Sequence, residues 1–403
     1  MPRQKAKLQS APRISDYISM GMLARLFPRD KVEQVLEQTG RASQRERALP
    51  ARVMVYYVIA LGLYMGVSCR EVLRCLVEGV RWLGGAARPT AVACKAAISQ
   101  ARKRLGYEPV EQLYDQVVGP IGERGTMGAW YRRWRTVALD GSTLDVADRE
   151  ANRQAFGRPG QSRGKAAYPQ IRFVSLVETG THVLFGARMG SYSASEAALA
   201  EQVVSRLEEG MLCLADRGLF SFQLFQGARQ SGADVLWRVK KNMVLPCLQR
   251  LEDGSYLSKI YPTPKDRRKD TKAVVVRVVE YTLKGVEGAE PIYRLVTSIL
   301  DPDQAPAEEL AVLYHERWEA ENSFDELKTH LRGTGKVLRS LRPDLVKQEF
   351  YGLLMAHYAI RGLMHEAALQ ADEDPDRLSF VHAVRVLRRR LPAMATFSPS
   401  ADS

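Results

Sequence analysis

Residues 135–143, Arg135-Thr136-Val137-Ala138-Leu139-Asp140-Gly141-Ser142-Thr143, are where the chain changes character. Before them, apolar residues recur at helical spacing. From them on, short runs of aliphatic and β-branched residues alternate with turns, which is the pattern of strands. Val137 to Asp140 reads as a short apolar strand ending on a carboxylate. Met211-Leu-Cys-Leu-Ala215-Asp216 repeats the device. Two such strands side by side and parallel would bring both carboxylates to one place, because sites in open α/β sheets gather at the carboxyl ends of strands.

Working outward, Gln170–Val177 and His182–Met189 alternate around Thr179-Gly180 and predict a hairpin. Helices are expected over Ser193–Glu209 and Phe220–Gln230, and a strand over Asp234–Val239. The order β-β-β-α-β-α-β, with a further helix after a long interruption, is that of a ribonuclease H-like domain. The expected fold is therefore α/β: a ribonuclease H-like catalytic core over 126–239 and 299–403, a β-rich insertion over 240–298, and an all-helical N-terminal domain over 1–125. Val274–Val279 and Ile292–Thr297 are the β-branched runs of the insertion, with a charged loop at 265–272. Pro306–Leu331 reads as one long helix. Helices over 343–370 and 380–391 follow, the last with a basic end at Arg385, Arg388, Arg389 and Arg390.

In the N-terminal region, Pro50 opens a strongly apolar helix. Gly84-Gly-Ala-Ala-Arg-Pro89 interrupts the pattern, and Ala91–Leu105 is a basic helix stopped by Gly106. A short helix, a turn and this basic helix could set Ser99, Gln100, Arg102 and Lys103 at a DNA groove. An ordinary helical bundle with a solvated basic face explains the same pattern equally well.

The 403 residues are 45% hydrophobic and carry a net charge of +13. That length predicts two or three domains. The basic excess suits a polyanionic partner, with an anionic membrane surface as the competitor. The longest apolar run, Val53–Val67, holds Gly, Tyr and Met and reads as a buried helix, so no membrane span is expected. The start, Met1-Pro-Arg-Gln-Lys-Ala-Lys7, lacks an apolar stretch behind its charges, so no secretory signal is expected. Five cysteines without a C-x-x-C pair argue against a zinc or disulfide framework and for a reducing, cytoplasmic compartment. The histidines show no metal spacing, and His315 reads as structural.

The chemistry lies on the helix after the insertion. Tyr314, Glu321 and Lys328 recur at heptad spacing, drifting only about 20° per step around the axis. Arg317 lies about 60° from Tyr314 on the same side. One face thus carries a carboxylate flanked by two cations and a phenol. With Asp140 and Asp216, Glu321 completes a cage for two magnesium ions about 4 Å apart, the arrangement that activates an attacking oxygen and stabilises a leaving one at a phosphodiester. Arg317 and Lys328 suit the flanking phosphates. Asp145, Asp148, Glu319, Asp325 and Glu326 read as solvated acids or as supports behind the ligands.

The spacing Tyr314-x-x-Arg317-x-x-x-Glu321-x-x-x-x-x-x-Lys328 resembles the Y-R-E-K signature of the insertion-element-four family of DDE transposases. Asp140-Gly-Ser and Ala215-Asp216-Arg-Gly resemble its first two acidic motifs, Tyr168-Pro-Gln-Ile-Arg172 a segment after the first, and Leu23 to about Leu105 its N-terminal domain. The resemblance covers nearly the whole chain. It implies cut-and-paste transposition. Asp140, Asp216 and Glu321 would hold two magnesium ions, with manganese as a substitute. Tyr314, Arg317 and Lys328 would grip phosphates of double-stranded DNA at the terminal inverted repeats, in a homodimeric synapse in the bacterial cytoplasm. Some relatives hold a flipped base with a tryptophan from the insertion; Trp237 is the nearest here, and its apolar strand favours core packing. The alternative is a transposase-derived DNA-binding protein without catalysis, which would be expected to have lost one of the three acids. A simple nuclease on the same fold would not need the N-terminal region and the insertion.

Overall fold

The computed structural model describes residues 23–45, 49–74, 76, 93–160, 168–283 and 290–390. The Gly84–Pro89 stretch and the side chains of Arg388, Arg389 and Arg390 lie outside the described residues.

Helices α1 (Arg29–Gln38), α2 (Ala51–Leu63), α3 (Lys95–Leu105) and α4 (Glu108–Val117) form the N-terminal part. Every residue of α2 from Met54 to Leu63 is buried. A helix apolar on all sides belongs inside a protein, and α2 packs along the C-terminal helix described below. Glycines set that approach. A Cβ on Gly62 would come within 2.8 Å of the Leu353 Cα, and one on Gly352 within 2.5 Å of the Val58 carbonyl oxygen.

From Trp130 the chain builds one ten-stranded sheet. Strand β1 (Trp130–Tyr131) pairs with β2 (Trp134–Asp145). After α5 (Glu150–Phe156), β3 (Gln170–Glu178) and β4 (Leu184–Ser191) make the hairpin. The second strand starts at Leu184 because His182, at φ 58°, belongs to the turn. Helix α6 (Glu196–Val204) crosses to β5 (Met211–Ala215), and α7 (Phe222–Gln230) to β6 (Asp234–Arg238). Both crossovers are capped by a serine accepting a backbone N–H, Ser195 from Ala198 and Ser221 from Leu224, as helix starts require. Strands β2, β5 and β6 run parallel, with β3 antiparallel to β2 and β4 antiparallel to β3.

The strands of 240–298 continue this sheet. They are β7 (Gln249–Arg250), β8 (Tyr256–Ile260), β9 (Val274–Tyr281) and β10 (Tyr293–Thr297). β10 pairs antiparallel with β6, giving the order β4-β3-β2-β5-β6-β10-β9-β8-β7. The charged segment expected as a loop contains a short helix, α8 (Pro264–Lys269), capped by Thr263.

The single long helix expected over Pro306–Leu331 is instead broken. It comprises α9 (Ala307–His315), α10 (Trp318–Asp325) and a π-helical turn, Glu326–Leu331. π turns of this kind recur at functional sites. Helix α11 (Pro343–Ala371) follows, then a 3₁₀ turn at Pro375–Arg377 and α12 (Phe380–Arg390). Phe173 of β3 meets Phe324 of α10 and Phe350 of α11, each at a 5.4 Å ring separation, which fixes α10 and α11 over the sheet. Among the described residues no helix is long and apolar enough to cross a membrane.

Candidate active site

The parallel ladder of β2 with β5 ends at Leu139 opposite Ala215, and that of β5 with β6 at Ala215 opposite Trp237. The next residue on each strand is Asp140, Asp216 and Arg238. Asp140 does not terminate its strand, as its sequence suggested. β2 continues to Asp145, paired with β3 down to Gln170, and only its parallel neighbour stops. The two acids therefore stand side by side where β5 has ended and a groove opens.

The segment from α9 to the π turn reaches that groove. The Tyr314 hydroxyl lies 3.3 Å from Asp216 Oδ1 and 3.5 Å from the Ala215 carbonyl oxygen. Arg317 falls at the break between α9 and α10. It donates one nitrogen to Asp140 Oδ2 at 3.2 Å and another to Glu321 Oε1 at 3.3 Å. Lys328, in the π turn, donates to Ser142 Oγ at 3.0 Å. Sequence reasoning missed Arg238, whose guanidinium is 3.8 Å from Asp216 Oδ1 and 2.9 Å from Glu290. Its signal was available only through the register: it is the residue after the third parallel strand's last ladder position. Arg217 also pairs with Glu290, at 2.6 Å. Beside them opens a cavity of about 770 Å³ lined by Arg217, Lys240, Lys241 and Arg294 together with Glu280, Glu290, Pro291 and Ile292.

The three acids differ in depth. Side-chain exposure is 22% for Asp140, 37% for Asp216 and 47% for Glu321. Burial pushes the Asp140 carboxyl up to about 6; the Gly141 N–H and Arg317 pull it back, and Glu196 and Glu321 add to the rise. Burial opposes the Arg317 charge, but Tyr314, Asp140, Asp216 and Glu321 outweigh it and its pKa is raised. Burial, then Asp216, raises the Tyr314 phenol. Burial and the neighbouring Arg332 lower the Lys328 ammonium. A Cβ at Gly141 would fall 2.2 Å from Glu196 Oε1 and 3.2 Å from the Phe173 carbonyl oxygen, so a larger residue there would push the Glu196 carboxylate aside.

The acids are oxygen donors of the kind hard divalent cations take, but as they stand their ligand atoms do not close within 4.8 Å of one another; among the described residues only His182, Glu319 and Asp376 do so. The Arg317 guanidinium lies between Asp140 and Glu321.

Of the N-terminal residues expected at DNA, Arg102 is not placed for it. Arg102 is buried, donating to Gln348 Oε1, Ser340 Oγ and the Leu345 carbonyl oxygen at 3.1, 3.1 and 2.8 Å. It ties α3 to α11 and cannot reach a groove. Lys103, the next residue, is exposed. Glu319 and Glu326, read as solvated or supporting, are both buried. Asp148 pairs with Arg153 at the surface, Asp145 accepts from Gln170, and Asp325 faces His330. His315 packs edge-on against Tyr281. Trp237 is fully buried, edge-to-face with Phe220 and Phe225.

Two protein-family models match the chain: insertion element 4 transposase N-terminal over residues 17–115, and transposase DDE domain over residues 133–359. The chain is 28% identical over 374 residues to transposase InsG for insertion sequence element IS4 of Escherichia coli (strain K12), an alignment covering 91% of this chain and 82% of that protein. Among solved structures it is similar to the piggyBac transposase synaptic complex with hairpin DNA, at 11% identity and a TM-score of 0.49, covering 99% of this chain and 86% of that one.

Proposed function

Because the chain belongs to the transposase DDE domain family, we propose that Asp140, Asp216 and Glu321 are its catalytic acids and that together they hold two magnesium ions. The protein is an insertion-sequence transposase, an enzyme that cleaves DNA and transfers the strands. The observation that supports the site assignment is that Asp140 and Asp216 each follow the last rung of the β2–β5 ladder, with Arg317 linking Asp140 to Glu321.

In this reading the substrate is the terminal inverted repeat of the element. Water breaks a phosphodiester to free a 3′ hydroxyl, and that hydroxyl attacks a second strand. When bound, the divalent ions supply activation of the attacking oxygen and stabilisation of the leaving one. Arg317 has one donor, Nε, without a hydrogen bond; on the arrival of DNA it can turn from the carboxylates to the phosphate, where its fork suits bidentate contact. Lys328, held by Ser142, counters the charge of a neighbouring phosphate. Tyr314 fixes the orientation of Asp216. The cavity lined by Arg217, Lys240, Lys241 and Arg294, four cations against Glu280 and Glu290, takes the strand beyond the cut. A homodimer pairs the two ends, and exposed Lys103 contributes to holding flanking DNA.

The test is cleavage of a labelled duplex bearing the element's terminal repeat, with and without magnesium, by the native chain, Asp216→Ala and Glu321→Gln. Magnesium-dependent cutting at the repeat end by the native chain alone is expected. Equal cutting by either variant would remove that acid from the mechanism.

A further inference from the structure

On the side of α10 away from Glu321, a second cluster of ligand-type side chains closes over the start of the helix. Glu319 is two residues before Glu321 and so points about 200° around the axis from it. It meets His182 from the β3–β4 turn and Asp376 from the 3₁₀ turn after α11. The ligand atoms of these three residues all lie within 4.8 Å of one another. His182 Nε2 is 3.2 Å from Asp376 Oδ1 and 3.7 Å from Glu319 Oε2. His182 is 5% exposed, and its Nε2 makes no hydrogen bond.

We propose that His182, Glu319 and Asp376 form a structural site for a divalent transition metal, with zinc the ion that fits best. Ligand atoms about 2.1 Å from a tetrahedral zinc stand about 3.4 Å apart, and the two measured separations bracket that value. One imidazole with two carboxylates is a donor set zinc accepts, and the partly exposed Asp376 leaves a fourth position to water.

The surroundings match a metal-bound histidine. His182 Nδ1 is 3.3 Å from Glu326 Oε1, and Glu326 is itself held by Arg361 and by His357 Nε2 at 3.2 Å. A ligating imidazole characteristically donates its other N–H to a carboxylate fixed in this way. Arg361 Nη2 also donates toward His182 Nδ1, so ligation at Nε2 requires that Arg361 keep to Glu326 and that Nδ1 carry the proton and donate to that carboxylate. Charge points the same way. Among the described residues, Arg361 is the permanent cation that Glu326 and Asp376 face; Glu316 adds to the negative field at Glu319, and buried negative charge is costly unless neutralised. A divalent ion neutralises it and pins the hairpin turn, the 3₁₀ turn and the start of α10 to one point.

The test uses the full chain, stripped with chelator, supplied with zinc alone and passed through gel filtration, with bound metal read by mass spectrometry. About one zinc per chain is expected for the native protein and for Asp140→Asn/Asp216→Asn, in which the reacting carboxylates are neutralised. His182→Gln and Asp376→Asn should retain none, and Glu326→Gln should bind about 10- to 100-fold more weakly. Should His182→Gln not fold, Asp376→Asn, near the surface, carries the test. Zinc lost from the Asp140/Asp216 variant but kept by Asp376→Asn would put the ion in the catalytic groove and overturn the proposal. No retained zinc in the native chain would mean that protons close the cluster, and would overturn it too. Neither readout depends on DNA cleavage, so the catalytic reading stands or falls separately.

Discussion

Arg317 donates to Asp140 across 3.2 Å, joining the break between α9 and α10 to the end of the β2–β5 parallel ladder. The same guanidinium reaches Glu321, so one planar fork holds the first and third acids. Arg317→Lys keeps the charge but cannot serve both with fixed geometry. It should cut single-turnover cleavage by about 100-fold or more, the scale seen when one preorganised donor is removed. Its melting temperature should stay near the native value. Cleavage within a few-fold of native would deny Arg317 this role.

Asp140 gives a stability prediction with a definite sign. Its folded-state pKa, about 6, lies above the ordinary 3.8. The folded state therefore holds its proton more tightly than the unfolded chain, and stability falls as pH rises between those two values. Asp140→Asn should abolish cleavage and raise unfolding free energy at pH 7.5 by up to about 3 kcal/mol. The gain should vanish near pH 3.5. Denaturant unfolding at both pH values checks it; a destabilised variant at pH 7.5 would contradict the burial argument.

The same group sets an acid limb for metal-free protein. Below about pH 6 the Asp140 carboxyl carries a proton that an incoming cation must displace. Magnesium affinity, followed by calorimetry, should weaken as pH falls from 7.5 to 5.5. In Asp140→Asn this dependence should flatten.

Lys328, proposed to contact DNA, and Arg102, buried against α11, should respond differently to removal. Lys328→Ala should lower affinity for terminal-repeat duplex and reduce the slope of log affinity against log salt by about 1. Arg102→Ala should leave that slope unchanged and cost about 2–4 kcal/mol, because it strands Gln348 and the acceptors of α11 in the interior. Lys103→Ala should change stability by less than about 0.5 kcal/mol. Filter binding across a salt series, beside thermal melts, distinguishes the three.

The sequence made the local devices legible and hid those that depend on packing. Asp140 and Asp216 stand out because each follows an apolar run, and Tyr314, Arg317, Glu321 and Lys328 because of their spacing. Arg238 has no local mark; only the register of a third parallel strand brings it to Asp216. The breaks near Arg317 and at Glu326–Leu331 are equally silent, since a helical pattern does not say which carbonyl each N–H will choose. Glu319, Glu326 and Arg102 look like surface charges by type and are buried because partners from distant segments receive them: Gly180, Arg361 and Gln348. Strands of 240–298 are recognisable by composition, but their addition to the β6 edge is a matter of long-range pairing.

That addition moves the sheet's free margin outward from β6 to β7, which is two residues long, Gln249 and Arg250, both exposed. A long bare margin invites pairing with a foreign chain. Here the ladder tapers to a polar stub with a charged side chain, too short to template another strand. At this margin the sheet is thereby poorly suited to joining edge to edge, while β4 forms the opposite one.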